Sequence, residues 1–357
     1  MTRLIELLIS IAIVAALFLL VALVLPSKRH LEQSVETNRR MTIVYDTLNS
    51  FRRFREWNPL SLRDPAIDIK LAGPPAGVGA RMEYASTVPQ LGSGSWEITE
   101  SVPGEKVAYK IDNSQRGSNK RSEMLLEPTG RNNRNVKITQ TYDVDYGWNL
   151  LGRYAGLYVS RSVGDDMKLG LQRLSNMLAS VPNVDYAVQG SKLADLKVVD
   201  RPAEHLLVVN AGSIDRENDT IKQSMKANME WINRNIAANG LKAAGPMRIV
   251  STELGRETYT FDVMQPVVKE AAAADAPLEG LKLTGPVTYV RSAPSRAASA
   301  TYTGYMAELE NVRNALRAWA MTQGHEVTDR PYEAYKNGID EAFTENGQYD
   351  VYWTLKQ

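Results

Sequence analysis

The hydrophobic pattern changes period several times along the chain. Leu4 to Leu25 is one apolar run, LIELLISIAIVAALFLLVALVL, interrupted only by Glu6 and Ser10. As a helix rising about 1.5 Å per residue, its 22 residues reach across the roughly 30 Å hydrocarbon layer of a bilayer. A helix is predicted over 40–56, with Val44, Leu48 and Phe51 on one face, broken at Trp57-Asn58-Pro59 because the residue before a proline is driven out of the helical region. Period-two alternation follows. Trp96 and Ile98, then Val107, Tyr109 and Ile111, then Val136, Ile138, Gln140, Tyr142 and Val144 alternate with polar or small neighbours, as in half-buried antiparallel strands. A long helix over about 153–180 carries the stripe Met167, Leu171, Leu174 and Leu178. VPNVDYAVQGSKLADL, 181–196, then marks a boundary.

Beyond residue 196 the pattern occurs twice. A strand, HLLVVNAGSI, leads to a helix with Ile221, Met225, Met229, Ile232 and Ile236 on one face, then Asn239-Gly240, then GPMRIVSTEL and TYTFDVMQPV. The strand RAASATYTGY leads likewise to a helix with Leu309, Val312, Leu316 and Trp319, then Gln323-Gly324, RPYEAYKNG and QYDVYWTLKQ. Pairing Gly240 with Gly324, Pro246 with Pro331 and Asp262 with Asp350 gives offsets of 84, 85 and 88, so length differences fall in loops. The second half is therefore expected to be a duplicated strand-helix-strand-strand unit, joined by KEAAAADAPLEG, 269–280.

Composition narrows the chemistry. The formal charge is +1, which gives the whole chain no electrostatic reason to seek nucleic acid. Absence of cysteine removes disulfides, thiolate metal sites and a cysteine nucleophile, and His30, His205 and His325 are far apart with no HExxH-type spacing. No GxSxG, P-loop or GxGxxG motif occurs; the glycines of AGPPAGVGA, 72–80, lie among prolines and read as a turn. No cofactor is implied and no catalytic set can be assembled. The apolar run ends in Val-Leu-Pro-Ser followed by Lys28 and Arg29, without a small-x-small cleavage site, which favours an uncleaved anchor over a signal peptide. The positive-inside count favours a cytoplasmic bulk, with the side left open.

In the first part, "FRRFREWNPLSLRDPAIDIKLAGPPAGVGARMEYAS" followed by "GSGSWEITESVPGEKVAYKI" resembles the SRPBCC superfamily, specifically its polyketide cyclase/dehydrase-like (START, helix-grip) branch, over about 31–182. "LVLPSKRHLEQSVE" is similar to the way membrane-tethered members enter their first strand. The resemblance implies an antiparallel sheet wrapped on a long C-terminal helix, with a hydrophobic ligand between them. Alternation puts Met82, Tyr84, Trp96, Tyr109, Gln140 and Tyr142 on the inward face, where each also fits plain core packing. Gln140 discriminates, because an amide among apolar positions needs a partner in the protein, a water or a ligand. Arg116, Lys120 and Arg121, with Arg131, Arg134 and Lys137, read as basic hairpin tips, either solvated or resting on anionic headgroups.

The second part, about 196–357, resembles the GyrI-like domain, or AraC-type effector-binding domain, on the Gly-Tyr before the second helix, the tryptophan within it, the PYEAY strand and the closing aromatic strand. The resemblance implies a groove for small, often aromatic and cationic molecules, with Glu333 facing the ligand. Tyr302, Tyr305, Trp319, Tyr335 and Trp353 would supply ring faces to a cation there, and each also fits core packing. Alternatively, Glu333 pairs with Arg330 or Lys336, or faces water. No helix-turn-helix precedes the domain, which argues against direct transcriptional control.

The expected fold class is thus α+β: a transmembrane anchor over 1–27, a helix-grip domain over 31–182, a linker over 183–195, and a duplicated βαββ effector-binding domain over 196–357. The leading expectation is a single-pass protein of the bacterial inner membrane, held in the lipid bilayer by residues 4–25, that binds a hydrophobic or cationic small molecule for sensing or sequestration. A hydrolase using Glu333 as general acid or base, and a non-catalytic membrane adaptor, are the alternatives. Oligomeric state is not legible.

Overall fold

A computed structural model describes residues 2–188, 192–270 and 277–356. Part of the expected linker, 189–191, and part of the alanine-rich stretch, 271–276, lie outside the described residues. The chain divides into two compact units, Met1–Asn183 and Val184–Gln357.

The first unit begins with α1 (Thr2–Val24), the one described helix long and apolar enough to cross a membrane. Strands β1 (Lys28–Thr37), β2 (Asp68–Ala72), β3 (Arg81–Ala85), β4 (Ser93–Val102), β5 (Lys106–Asn113), β6 (Ser118–Thr129) and β7 (Asn135–Asp145) form an antiparallel sheet in the order β1-β7-β6-β5-β4-β3-β2. Only residues 25–27 separate α1 from β1. Gly73 opens the turn between β2 and β3 at φ 74°, and a Cβ there would meet the Gly79 carbonyl at 2.3 Å, so AGPPAGVGA is a turn built on glycine for steric reasons.

Two helix expectations need correction. The helix expected over 40–56 is α2 (Met41–Leu48), then a bend, then α3 (Phe54–Trp57) and α4 (Leu60–Arg63). The helix expected over 153–180 starts earlier and is interrupted: α5 (Leu150–Ala155), a π-helical turn at Ser160–Gly164, then α6 (Asp165–Ala179). Gly152 and Gly156, just before the break, pack closely on Tyr146, where added Cβ atoms would come within 3.0 and 2.8 Å of the ring. Met167, Leu171, Leu174 and Leu178 of α6 are buried as the stripe requires, with Ile43, Leu48, Met82, Ile98, Met124 and Ile138 fully buried in the same unit.

In the second unit the order strand, helix, strand, strand occurs twice. The first run is β9 (His205–Asp215), α7 (Asn218–Ala238), β11 (Arg248–Leu254) and β12 (Thr258–Lys269), with β10 (Leu241–Ala243) beside β12. The second is β14 (Ser295–Thr303), α8 (Leu309–Thr322), β15 (Val327–Tyr335) and β16 (Gln348–Leu355), with the short α9 (Gly338–Ala342) between the last two. One sheet joins them through an antiparallel β11–β15 pair. The edges are exchanged: β8 (Leu193–Arg201), ahead of the first run, pairs with β14 of the second, and β13 (Thr288–Arg291), ahead of the second, pairs with β9 of the first. Ile221, Met225 and Ile232 of α7 share one core with Leu309, Val312 and Leu316 of α8 and with Ile249, Phe261, Val263 and Val351 of the sheet.

Asp340 of α9 ties that turn to α7 by ion pairs with Lys226 at 2.7 Å and Lys222 at 2.9 Å. Hydrogen bonds from Lys226 and then Lys222 hold its carboxyl at about 2, below the ordinary 3.8. A depressed carboxylate contributes stability above its unfolded value and loses it as pH falls through the folded one. Asp340→Asn is therefore expected to flatten the part of the acid-unfolding profile between pH 3.8 and about 2 and to leave the unfolding midpoint at still lower pH unchanged, as read by urea titrations across that range.

Candidate functional site

In the first unit, Trp57, Asn58, Pro59 and Leu60 at α3–α4, Tyr84 of β3, Trp96 of β4, Ile111 of β5, Gln140 and Tyr142 of β7, and Val163, Asp166, Met167 and Gly170 on the helical side line one cavity of about 100 Å³. The WNP break places it. Pro59 stops the helix so that Trp57 turns inward, and the bare face of Gly170 lets α6 approach Pro59, where a Cβ would come within 3.2 Å. Phe54 packs edge-on to Trp57 and Trp96 with ring centroids 5.2 and 5.3 Å away, and Tyr109 packs edge-on to Trp96 at 5.7 Å.

Of the residues expected to face this cavity, Tyr84, Trp96, Gln140 and Tyr142 line it, and Met82 is buried in the core outside its wall. Tyr109 does not; its ring fills the core and its hydroxyl donates to the Leu48 carbonyl at 2.6 Å. Burial pushes the Tyr109 and Tyr142 phenols well above their ordinary range. Gln140 finds a protein partner, its Nε2 donating to Ser122 Oγ at 3.1 Å. Sequence reasoning missed Trp57. Its indole lines the cavity, yet its buried Nε1–H has no hydrogen-bond partner among the described residues, an uncommon condition for a buried donor. Asp166 stands at the rim opposite Arg63, 2.7 Å away, and burial raises its carboxyl despite that cation. Among the described residues no three His, Asp or Glu side chains gather where a metal ion could be held.

The basic tips also need correction at one residue. Lys120 lies in β6 and is buried, its Nζ donating to the Asn113 carbonyl at 3.2 Å, Asn113 Oδ1 at 2.7 Å and the Gln115 carbonyl at 2.6 Å. It closes the β5–β6 hairpin from within.

In the second unit, Glu333 is fully buried, and its partner comes from α8, not from Arg330 or Lys336. Arg313 Nε donates to Oε1 at 2.5 Å and Arg313 Nη2 to Oε2 at 2.9 Å, a two-pronged pair. Burial opposes the charge on Arg313, but Glu333 and the Tyr259 hydroxyl beside it leave the guanidinium above its ordinary value. The tyrosines flanking Glu333 part company, as a strand's period of two demands. Tyr335 shares its face and packs edge-on to Tyr349 at 5.0 Å, whereas Tyr332 faces the other way, stacked on Tyr352 at 4.9 Å beneath Arg248. The Tyr335 hydroxyl is buried without a partner among the described residues.

The expected cation site at Glu333 is therefore filled by the chain itself. A cleft of about 780 Å³ lies near α8, but its walls include Arg313, Arg317, Glu253, Glu310, Lys356 and Trp353, and not Glu333. A second hollow of about 180 Å³ reaches Arg313 from the side of Arg216 and Tyr259. Of the five rings expected there, Trp353 alone lines the larger cleft, with Arg317 5.6 Å above it. Tyr302 stacks on Tyr349 at 5.8 Å, Tyr335 is fully buried, Trp319 packs against the core and Tyr305 is exposed. The same geometry argues against a general acid or base role for Glu333, because Arg313 occupies both of its oxygens and the walls of these two hollows do not include it.

Residues 28–178 match the family described as polyketide cyclase / dehydrase and lipid transport. That family points to small or hydrophobic ligands. No curated protein matches the chain. Among solved structures, norcoclaurine synthase from Thalictrum flavum, in complex with dopamine and hydroxybenzaldehyde, is 10% identical over 43% of this chain and 87% of its own, with a TM-score of 0.33. A protein from Chromobacterium violaceum is 16% identical over 43% of this chain and 98% of its own, TM-score 0.30. The C-terminal domain of EcmrR is 14% identical over 46% of this chain and 98% of its own, TM-score 0.37.

Proposed function

We propose that the chain is a membrane-tethered binding protein that takes a small amphipathic molecule, or one end of a larger one, into the cavity between the sheet and α6 of its first unit. The observation that carries this reading is the cavity itself, walled by the rings of Trp57, Tyr84, Trp96 and Tyr142 and by Ile111 and Met167, with the amides of Asn58 and Gln140 and the carboxyl of Asp166 on the same wall. Its volume of about 100 Å³ is small beside the roughly 300–1,000 Å³ of drug-sized pockets, so a short amphipathic group fits better than a whole lipid. α1, read as a single span of a bacterial inner membrane, keeps the unit at a lipid surface. The twice-repeated order of the second unit supports the GyrI-like, effector-binding reading of its fold, while its internal Arg313–Glu333 pair argues against a cationic effector at the carboxylate.

The test uses full-length protein in lipid nanodiscs and short brominated alcohols as quenchers of tryptophan fluorescence. Saturable quenching is expected, reduced in Trp57→Phe and Trp96→Phe and unchanged in Trp319→Phe. Quenching that does not saturate, or that survives both first-unit substitutions, would overturn the assignment of the site.

A further inference from the structure

The residues that follow the sheet of the first unit are odd for a surface in water. Trp148 is 83% exposed, Tyr158 69%, Leu151 55% and Leu157 49%, all within eleven positions. The same stretch is fastened to the end of α1. Arg153 is buried and its Nη1 donates to the carbonyls of Ala22 at 3.2 Å, Leu23 at 3.1 Å and Leu25 at 3.4 Å, groups that a helix C-terminus leaves unpaired and partially negative. Tyr154 donates its hydroxyl to the Phe18 carbonyl at 2.9 Å and stacks on the Phe18 ring at 4.5 Å. From Phe18 to Val24 is six residues, roughly 9 Å of helix at about 1.5 Å per residue, so α5 lies alongside the last turns of α1 and not merely beneath its tip.

From these contacts we infer that Trp148–Tyr158 is a second membrane contact, an interfacial element lying at the boundary of headgroups and acyl chains beside the span. The inference rests on reading α1 as a transmembrane helix. If α1 spans, anything packed along Phe18–Leu25 stands at the depth of that boundary, and the connection over 25–27, at most about 3.6 Å per residue, gives the sheet no room to withdraw. The chemistry fits the place. Tryptophan and tyrosine collect at membrane interfaces because one end of the ring system is apolar and the other hydrogen-bonds. Arginines surround them: Arg153 lies 5.7 Å over the Trp148 ring, Arg116 Nη1 reaches the Leu151 carbonyl at 3.4 Å, and Arg29 flanks Gly156. Cations so placed are drawn to anionic headgroups. The element also continues through the π turn into α6, so the helical wall carrying Val163, Asp166, Met167 and Gly170 is tethered directly to the lipid contact.

Because the chain has no cysteine, single cysteines carry a nitroxide label cleanly. Leu151→Cys and Tyr158→Cys would be compared with Val14→Cys inside α1 and with Lys70→Cys on β2, at the far edge of the sheet from β1. The full chain is reconstituted in vesicles of phosphatidylcholine with phosphatidylglycerol, and collisions with oxygen and with a water-soluble nickel chelate are measured. Oxygen should dominate at positions 14, 151 and 158, and the chelate at position 70. Labels at 151 and 158 that behave like position 70 while position 14 stays in lipid would sink the interfacial element and leave the span intact. A label at position 14 that meets the chelate would remove the span, and the inference with it. Dipolar broadening between labels at 151 would show a second copy of the chain on this face, and would equally overturn the lipid contact.

Discussion

Arg313→Met is expected to cost the second unit about 3–5 kcal/mol, because it strands a fully buried carboxylate, whereas Arg313→Met combined with Glu333→Leu should restore most of that loss. The asymmetry follows from desolvation. Each charge has already left water, and their mutual attraction only offsets that cost while both are present. Glu333→Gln alone should fall between, since an amide can keep one of the two hydrogen bonds to Arg313. Tyr335→Phe serves as the contrast: it removes a hydroxyl without a partner and should leave stability unchanged or slightly raised. Urea unfolding of the full chain, followed by far-UV circular dichroism and tryptophan fluorescence, reads these differences. A further outcome discriminates the role of the site. In Arg313→Ala the shortened side chain leaves Glu333 without its cation, so ethylguanidinium should stabilise that variant and not the native protein. Equal stabilisation of both would show that the native carboxylate is reachable by external cations after all.

That pair also shows where reading the sequence stops. The acid in PYEAY was visible, as was its position on a half-buried strand. Its partner was sought among residues adjacent in sequence, Arg330 and Lys336, although a strand sends neighbours to opposite faces; Lys336 in fact pairs with Asp350 at 3.3 Å. The available signal lay on α8. Leu309, Arg313, Leu316 and Ala320 recur at four, three and four residues, so Arg313 stands in the apolar stripe itself, and all four are buried. A cation at such a position needs an acid facing it. Long strands were legible because one face is buried along their whole length, as in Val136–Val144 of β7. The exchanged edge strands β8 and β13 were not, because none of their residues is buried and only pairing with β14 and β9 defines them. Lys120 was read as a loop tip because charge usually marks exposure, but three carbonyl-type oxygens from a hairpin end satisfy an ammonium as well as water does. In the cavity, the inward face of the strands followed from alternation, while Trp57 entered only through the tertiary meeting of α3–α4 with α6.

Trp96→Ala is expected to be the most damaging single change in the first unit and also to alter which molecules it binds. Trp96 stands 9% exposed on β4, in edge contact with Phe54 and Tyr109 and on the wall of the cavity, so its removal deletes packing on one side and enlarges an empty space on the other. Such truncations cost about 3–5 kcal/mol, and for a domain of this size each kcal/mol lowers the melting temperature by roughly 2–4 °C. The two effects can be separated. Loss of stability alone would follow from any core truncation, such as Met124→Ala in β6, which lies outside the cavity wall. Enlargement should shift selectivity in a series of alkan-1-ols. Native protein is expected to be stabilised by the shortest members and to ignore longer ones, because the cavity volume is about 100 Å³, while Trp96→Ala should bind the longer alcohols at least tenfold more tightly than the native protein does. Met124→Ala should keep the native preference. If both variants lose stability and neither changes the order of preference among the alcohols, the space beside Trp96 is a packing defect and ligands of this class bind elsewhere.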